Sequence, residues 1–484
     1  RNTEFAARHL KPYGLEYIQI DEGYQKAHGD WEGNERFPQG MKWLAQKIKS
    51  YGFKAGIWIS PYVISETTEV FRDHKKWLVR NRDGTLQRVG NWPKGAEPPP
   101  DEYPKRYCLD ITHPEASQWL HRLIQMIVRD WGYEMIKIDF VAWSIFAAEQ
   151  YYDGTFSSAQ VYRNGMNIMR LAAGDKCHIL ECGPGAVTAG LIDSMRIELD
   201  VNYGFADAAW NTYFMDPACS MSAAAQRYYF HNRAWVNDVD HLCTHLLNAR
   251  QSEAAATIIA MSGGNTMSGV RLIQLDLAKL DIFKAITPSL GQAAVPIDLF
   301  DSDMPASFAI RIHRPFGEWT VAAFFNPSLT ESVKKTFPLS RMWLDGEKTY
   351  LAFDFWNKQF LGEIEKDVSV TIQPGSVRLL AIREKTTRPI IMSTDRHVMQ
   401  GALELENVTW NESMNTISAT SLGPAGTSHN VYVYVPESHP WTWGGYVLFR
   451  DYDDYTLKLV HSNIIEVHLH FDSSDRISWK IDVD

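Results

Sequence analysis

The feature that most constrains this chain is an alternation. From Arg1 to about Gln292, short apolar segments that suit strands take turns with longer amphipathic segments that suit helices. The strand candidates are YIQID (17–21), FKAGIWI (53–59), EMIKIDF (134–140), HILEC (178–182), MRIELD (195–200), RAWVND (233–238) and ATIIAM (256–261). Between them, MKWLAQKIKSYG and EASQWLHRLIQMIVRDWG carry apolar residues at helical spacing and close on glycine, a helix-stop signal. Parallel strands each need a crossover, so this alternation predicts an α/β fold with a parallel sheet. Seven strands follow an initial helical TEFAARHLKPYG that has no strand ahead of it, which predicts a (β/α)8 TIM barrel whose first strand is absent from this chain. A doubly wound sheet fits less well, because several strands end in polar residues and no glycine-rich phosphate turn is present.

Beyond about Ala293 the period changes. FAIRIHR, WTVAAFFN, KTYLAFDFW, VSVTIQ and SVRLLAIR alternate apolar and polar residues, as half-buried antiparallel strands do. KTTRP after Glu384 reads as a linker to a further sandwich-like series from GALELENVTW to IIEVHLHF. The expected organisation is a catalytic barrel over 1–292, an antiparallel β domain over 293–384 and a second β-sandwich over 385–484. WPKGAEPPPDEYP (92–104) is too proline-rich for regular structure and reads as an extended excursion on the barrel rim.

Charge narrows the partners. A net charge of −10 disfavours nucleic acid and anionic lipid, and no apolar run approaches membrane-spanning length. Cys108, Cys177, Cys182, Cys219 and Cys243 contain no CxxC pair, so neither a disulfide framework nor a zinc knuckle is implied. The chain opens at Arg1 rather than methionine, which suggests a preceding segment; the Asn407-Val-Thr and Asn411-Glu-Ser triplets fix no compartment.

Barrel active sites sit at the carboxyl ends of the strands. That rule selects Asp21 with Glu22, Lys137 with Asp139, Cys182, Arg196 with Asp200, and Asp238 with Asp240. Alternation in KIDF points Lys137 and Asp139 to one face, and a lysine there favours an ionised carboxylate, as a nucleophile requires. The same parity in MRIELD sets Arg196, Glu198 and Asp200 on one side. Two opposed carboxyl groups are the minimum equipment for glycoside cleavage, while a buried Lys–Asp pair that only holds the barrel together is the structural alternative. His241 and His245, four apart on an expected helix, lack the glutamate of HExxH and read as core or surface residues. SGGN (262–265) reads as a turn after the last strand.

YIQIDEGYQ, GDWEGNERFPQGM, GIWISP, CLDITHPEA, WGYEMIKIDF, the CGPG segment, MRIELDVN and WVNDVD, in that order, resemble glycoside hydrolase family 36, the α-galactosidase clan, and its sister family 27. The resemblance implies a retaining exo-acting hydrolase of terminal α-D-galactosyl residues with no cofactor or metal. It casts Asp139 as nucleophile and Asp200 as general acid/base, with carboxyl groups about 5–5.5 Å apart. It further implies that Lys137 and Arg196 bind the sugar, that Cys182 lies near the 2-hydroxyl, that Asp21 reads the 4- and 6-hydroxyls, that Trp31 and Trp58 line the pocket, and that Asp238 and Asp240 shape it. Members often assemble into homo-oligomers.

Three departures bear on substrate. The family writes DDGWQ where this chain has Asp21-Glu22-Gly23-Tyr24-Gln25, and Glu22 reaches one methylene further toward the place of the galactose C6. A β-L-arabinopyranoside, which has the same ring stereochemistry without C6, is therefore the alternative substrate, and a non-catalytic carbohydrate-binding relative is the alternative class. Val239 replaces a proline, and the family's first strand, GWxSW, is not in the sequence. Trp441 and Trp443 in the last domain are candidates for contact with polysaccharide.

Overall fold

A computed structural model describes residues 1–89, 104–141, 145, 148–183, 185–201, 206–438 and 449–483. The expected rim excursion at 92–104, apart from Pro104, and the Trp441 and Trp443 pair lie outside the described residues. The chain forms two compact units: Arg1–Arg8, Leu15–Ile197 and Asn232–Asp238 make the first, and His9–Gly14, Glu198–His231 and Val239–Asp484 the second.

The first unit is built on six parallel strands: β1 (Tyr17–Ile20), β2 (Lys54–Ile59), β3 (Met135–Ile138), β4 (His178–Glu181), β5 (Ser194–Arg196) and β6 (Val236–Asp238). Each pairs with the next in chain order and the order never reverses. A doubly wound sheet would reverse at a switch point, whereas sequential winding is that of a barrel. β3 is buried throughout, as expected of a strand covered on both faces. The helices between strands carry their own start signals. Pro114 opens Pro114–Gln125 where its missing N–H costs nothing, and Ser157 with Gln160 forms a capping box at Ser158–Ala173.

ATIIAM is not a seventh strand. It lies within the helix Ala249–Ser262, which starts at a capping box of Asn248 and Gln251, and its residues 254–262 are buried on every side. Full burial erases the amphipathic period that separates helix from strand, and the β-branched pair Ile258-Ile259 adds to the strand-like look. SGGN accordingly follows a helix rather than a strand, with Gly263 at φ 76° as its left-handed cap.

The second unit also holds the antiparallel sheets. A six-stranded sheet includes Ser307–Arg314, Gly317–Asn326, Tyr350–Asp354 and Ser376–Glu384. It shares a core with the pair Val333–Pro338 and Asp367–Ile372. A five-stranded sheet with Ile390–Thr394 at one edge and a three-stranded sheet of Leu405–Asn411, Thr416–Leu422 and Arg476–Asp482 enclose a second core, including Val431, Leu457, Val467 and Trp479. The architecture is a TIM barrel followed by β-sandwiches.

Candidate active site

Strand register collects the expected residues of the first unit. Ile138 faces Glu181, Glu181 faces Met195, and Arg196 faces Asp238. One residue further along, the same register sets Asp139, Cys182, Arg196 and Asp238 in a row across four strands. Asp139 N bonds Ile59 O at 3.0 Å and Cys182 N bonds Ile138 O at 2.8 Å, so the ladder continues just past the strand ends.

Asp139 is held at both oxygens. The Trp58 indole donates to Oδ2 at 3.0 Å, and the Phe140 amide donates to Oδ1 at 2.7 Å. Phe140 takes φ 57°, a left-handed conformation that is costly for a residue with a Cβ and tends to occur at functional sites. Its ring stands edge-on to Trp58 at 5.4 Å, and Trp58 packs on Trp31 at 6.1 Å. Both tryptophans are buried, and the Trp31 indole N–H has no hydrogen-bond partner among the described residues.

Lys137 shares its face of the sheet with Trp58, its register partner. Its amine donates to Asp21 Oδ2 at 2.9 Å, and that oxygen also accepts from Gln19 at 2.7 Å. Burial opposes the Lys137 charge, but anionic neighbours, the Asp21 carboxylate 2.9 Å away among them, more than offset it, so the amine is held above its ordinary range. Burial pushes the Cys182 thiol well up despite the opposing pull of Arg196. At neutral pH it is therefore a neutral thiol with a proton to donate. Arg196 Nε lies 3.5 Å from Asp238 Oδ1, and both side chains are almost wholly buried. Glu22 turns from Asp21 toward His28, with Oε1 3.2 Å from Nε2.

The MRIELD reading needs correction. β5 stops at Arg196, so strand parity does not extend to Glu198 or Asp200. Asp200 belongs to the second unit, where it is exposed on an irregular segment. Asp240, also there, is buried at φ 61°, with its carboxylate accepting from Val201 N at 2.8 Å and lying 2.9 Å from His241 Nδ1. His241 sits on the short strand His241–Leu242 rather than on a helix, so the four-residue spacing to His245 has no helical meaning.

Several residues at the site escaped the sequence. His28 approaches from a hairpin turn and Arg106 from the short strand Arg106–Cys108, neither at the end of a barrel strand, whereas Ser60 directly follows Ile59 at the end of β2, where the strand-end rule could have found it. Glu181 was hidden by its neighbour Cys182, since adjacent strand residues face opposite sides. Among the described residues no group of His, Cys, Asp and Glu is arranged to hold a metal, and no helix is long and apolar enough to cross a membrane.

Residues 5–261 match the model of the glycosyl hydrolases family 31 TIM-barrel domain. The chain belongs to that family. The match places it among glycoside hydrolase barrels, as the motifs suggested, and the model matched is that of family 31. A curated α-galactosidase of Escherichia coli is 26% identical over 134 residues, which is 26% of this chain and 17% of that protein. The aligned part thus spans about a sixth of that relative. Among solved structures, α-galactosidase I of Mortierella vinacea superposes with a TM-score of 0.54 at 17% identity, covering 79% of this chain and 91% of its own. A family 27 β-L-arabinopyranosidase of Geobacillus stearothermophilus, in complex with arabinose, gives 0.58 at 15% identity, covering 79% and 92%. At these identities the structural likeness is one of fold.

Proposed function

We propose that this family 31-type barrel is a retaining exo-glycosidase of family 36 character that releases terminal α-D-galactosyl residues from oligo- or polysaccharides. The observation that carries the reading is the row of Asp139, Cys182, Arg196 and Asp238, flanked by the Asp21–Lys137 pair and the Trp58–Trp31 wall. An oriented carboxylate, two cations, a thiol donor and flat aromatic faces are what a sugar ring with several hydroxyls requires.

In this mechanism Asp139 attacks the anomeric carbon while Asp200 gives its proton to the leaving glycosidic oxygen. The C–O bond breaks and a glycosyl ester forms on Asp139. Water then attacks the same carbon, Asp200 takes its proton, and Asp139 departs as carboxylate with the anomeric configuration retained. The step needs the two carboxyl groups about 5–5.5 Å apart. Lys137 and Arg196 grip hydroxyls, Cys182 donates near the 2-hydroxyl, and Asp21 reads the 4- and 6-hydroxyls. Residues 1–292 form the catalytic barrel of this proposal, with 293–384 and 385–484 as its β domains.

Glu22 also motivates a second reading. Its additional methylene would favour a β-L-arabinopyranoside were the carboxylate to turn from His28 into the space of C6. The test is hydrolysis of p-nitrophenyl α-D-galactopyranoside against p-nitrophenyl β-L-arabinopyranoside by folded protein. A preference for the first supports the galactosidase, and a preference for the second the arabinopyranosidase. Silence on both, with sugar still bound, would replace hydrolysis by a binding role.

A further inference from the structure

Asp21 and Glu22 are adjacent, yet their carboxylates are committed to different partners. Asp21 is tied to Lys137 and Gln19, whereas Glu22 Oε1 meets His28 Nε2 at 3.2 Å. His28 is the more firmly fixed member of that pair, its side chain 13% exposed against 43% for Glu22. Its carbonyl accepts from Ser65 N at 2.8 Å, and its Nδ1 lies 2.7 Å from Ser60 Oγ. Its ring packs against Trp31, Trp58 and Phe140 at 6.2, 6.0 and 5.9 Å, the last two being the residues that hold Asp139.

The local backbone makes this placement specific. Gly29, next in the chain, has φ 95°, and a Cβ there would come within 3.0 Å of Ile64 Cδ1, so the turn that presents His28 requires glycine. The Glu22 contact is a hydrogen bond in the tautomer that carries its proton on Nε2, with the Ser60 hydroxyl donating to Nδ1. Arg106, with Nη1 3.5 Å from Nε2, sets a cation against the His28 ring. A glutamate is long and rotamer-rich; at a half-exposed position it samples several directions unless a partner holds it.

We propose that His28 is a positioning residue for sugar selectivity: it holds the Glu22 carboxylate aside from the space of the exocyclic C6, so that a hexopyranoside of galacto configuration is admitted. The proposal rests on the glycosidase reading above and deepens it. Freed from His28, Glu22 is drawn by the Lys137 cation toward the Asp21 side, into the region where C6 would lie. A pentopyranose of the same ring stereochemistry has no atom there and loses little. His28 itself touches no reacting atom and acts through Glu22.

The experiment is calorimetric titration of D-galactose and of L-arabinose into the full chain, for wild type, His28→Ala, His28→Gln, Glu22→Asp and the double variant His28→Ala with Glu22→Asp, each checked for folding by circular dichroism. In His28→Ala the galactose affinity should fall about tenfold relative to L-arabinose. His28→Gln, which keeps an N–H donor, should recover much of the ratio. The double variant should show the ratio of Glu22→Asp alone, because the shortened carboxylate no longer reaches the C6 space. Equal loss of both sugars in His28→Ala, or the same change of ratio in the Glu22→Asp background, would overturn the proposal while leaving the sugar site intact. Folded wild type that binds neither sugar would overturn the glycosidase reading, and this inference with it.

Discussion

Glu181 gives the most quantitative expectation. It ends β4 with no exposure; Oε2 accepts the Thr188 hydroxyl, and Oε1 has no hydrogen-bond partner among the described residues. Burial outweighs the Thr188 hydrogen bond and pushes the carboxyl from 4.5 up to about 8. The folded chain therefore holds this proton more tightly than the unfolded chain does. Stability from the group is fully present below about pH 4.5, falls by about 1.4 kcal/mol per pH unit, and is lost once the pH passes about 8, a total of about 5 kcal/mol. Glu181→Gln has nearly the same shape and cannot ionise. Urea unfolding of both proteins at pH 5.5 and pH 8 should show the variant gaining about 3 kcal/mol on wild type between the two. A difference that stays flat across that range would mean that Glu181 is already ionised in the folded chain, and would refute the reasoning.

The second unit carries the opposite slope. Burial depresses His397 and His429 from 6.5 to about 4, so stability is complete above pH 6.5 and declines toward pH 4, by about 3 kcal/mol for each histidine. His429 stacks on Phe471 at 4.9 Å and neither of its ring nitrogens has a hydrogen-bond partner among the described residues; in acid unfolding curves, His429→Leu should lose its share of that slope, and an unchanged slope would place the acid sensitivity elsewhere. Replacing Asp238 by alanine removes a buried carboxylate that faces the Arg196 charge and should cost about 3–5 kcal/mol in urea unfolding. A loss below about 1 kcal/mol would show that water reaches the pair.

Much of the barrel is legible because its strands are short, apolar and punctuated. Six strand readings overlap β1 to β6, and Asp21, Asp139 and Cys182 do stand just past strand ends. ATIIAM failed because a helix buried all round has no polar face to betray its period, although Asn248 and Gln251 had already written its cap. MRIELD failed differently: the chain leaves the sheet after Arg196, and sequence alternation cannot show where hydrogen bonding stops. The β-sandwich strands were visible in period, but Ile390–Thr394 and Arg476–Asp482 passed unnoticed. At the site, carboxylates and cations on strands could be ranked by position. His28 and Arg106 could not, since their meeting depends on a hairpin turn and a short antiparallel strand pair rather than on the ends of the barrel strands.

The most direct test of the central claim is to trap the covalent intermediate. Folded protein is incubated with 5-fluoro-α-D-galactosyl fluoride, digested and analysed by mass spectrometry, with Asp139→Asn as control. The expected result is a fluorogalactosyl ester on the peptide containing Asp139, absent from the control. Turnover of an α-galactoside with no label on Asp139, or with the label on another carboxylate, would contradict its assignment as the nucleophile.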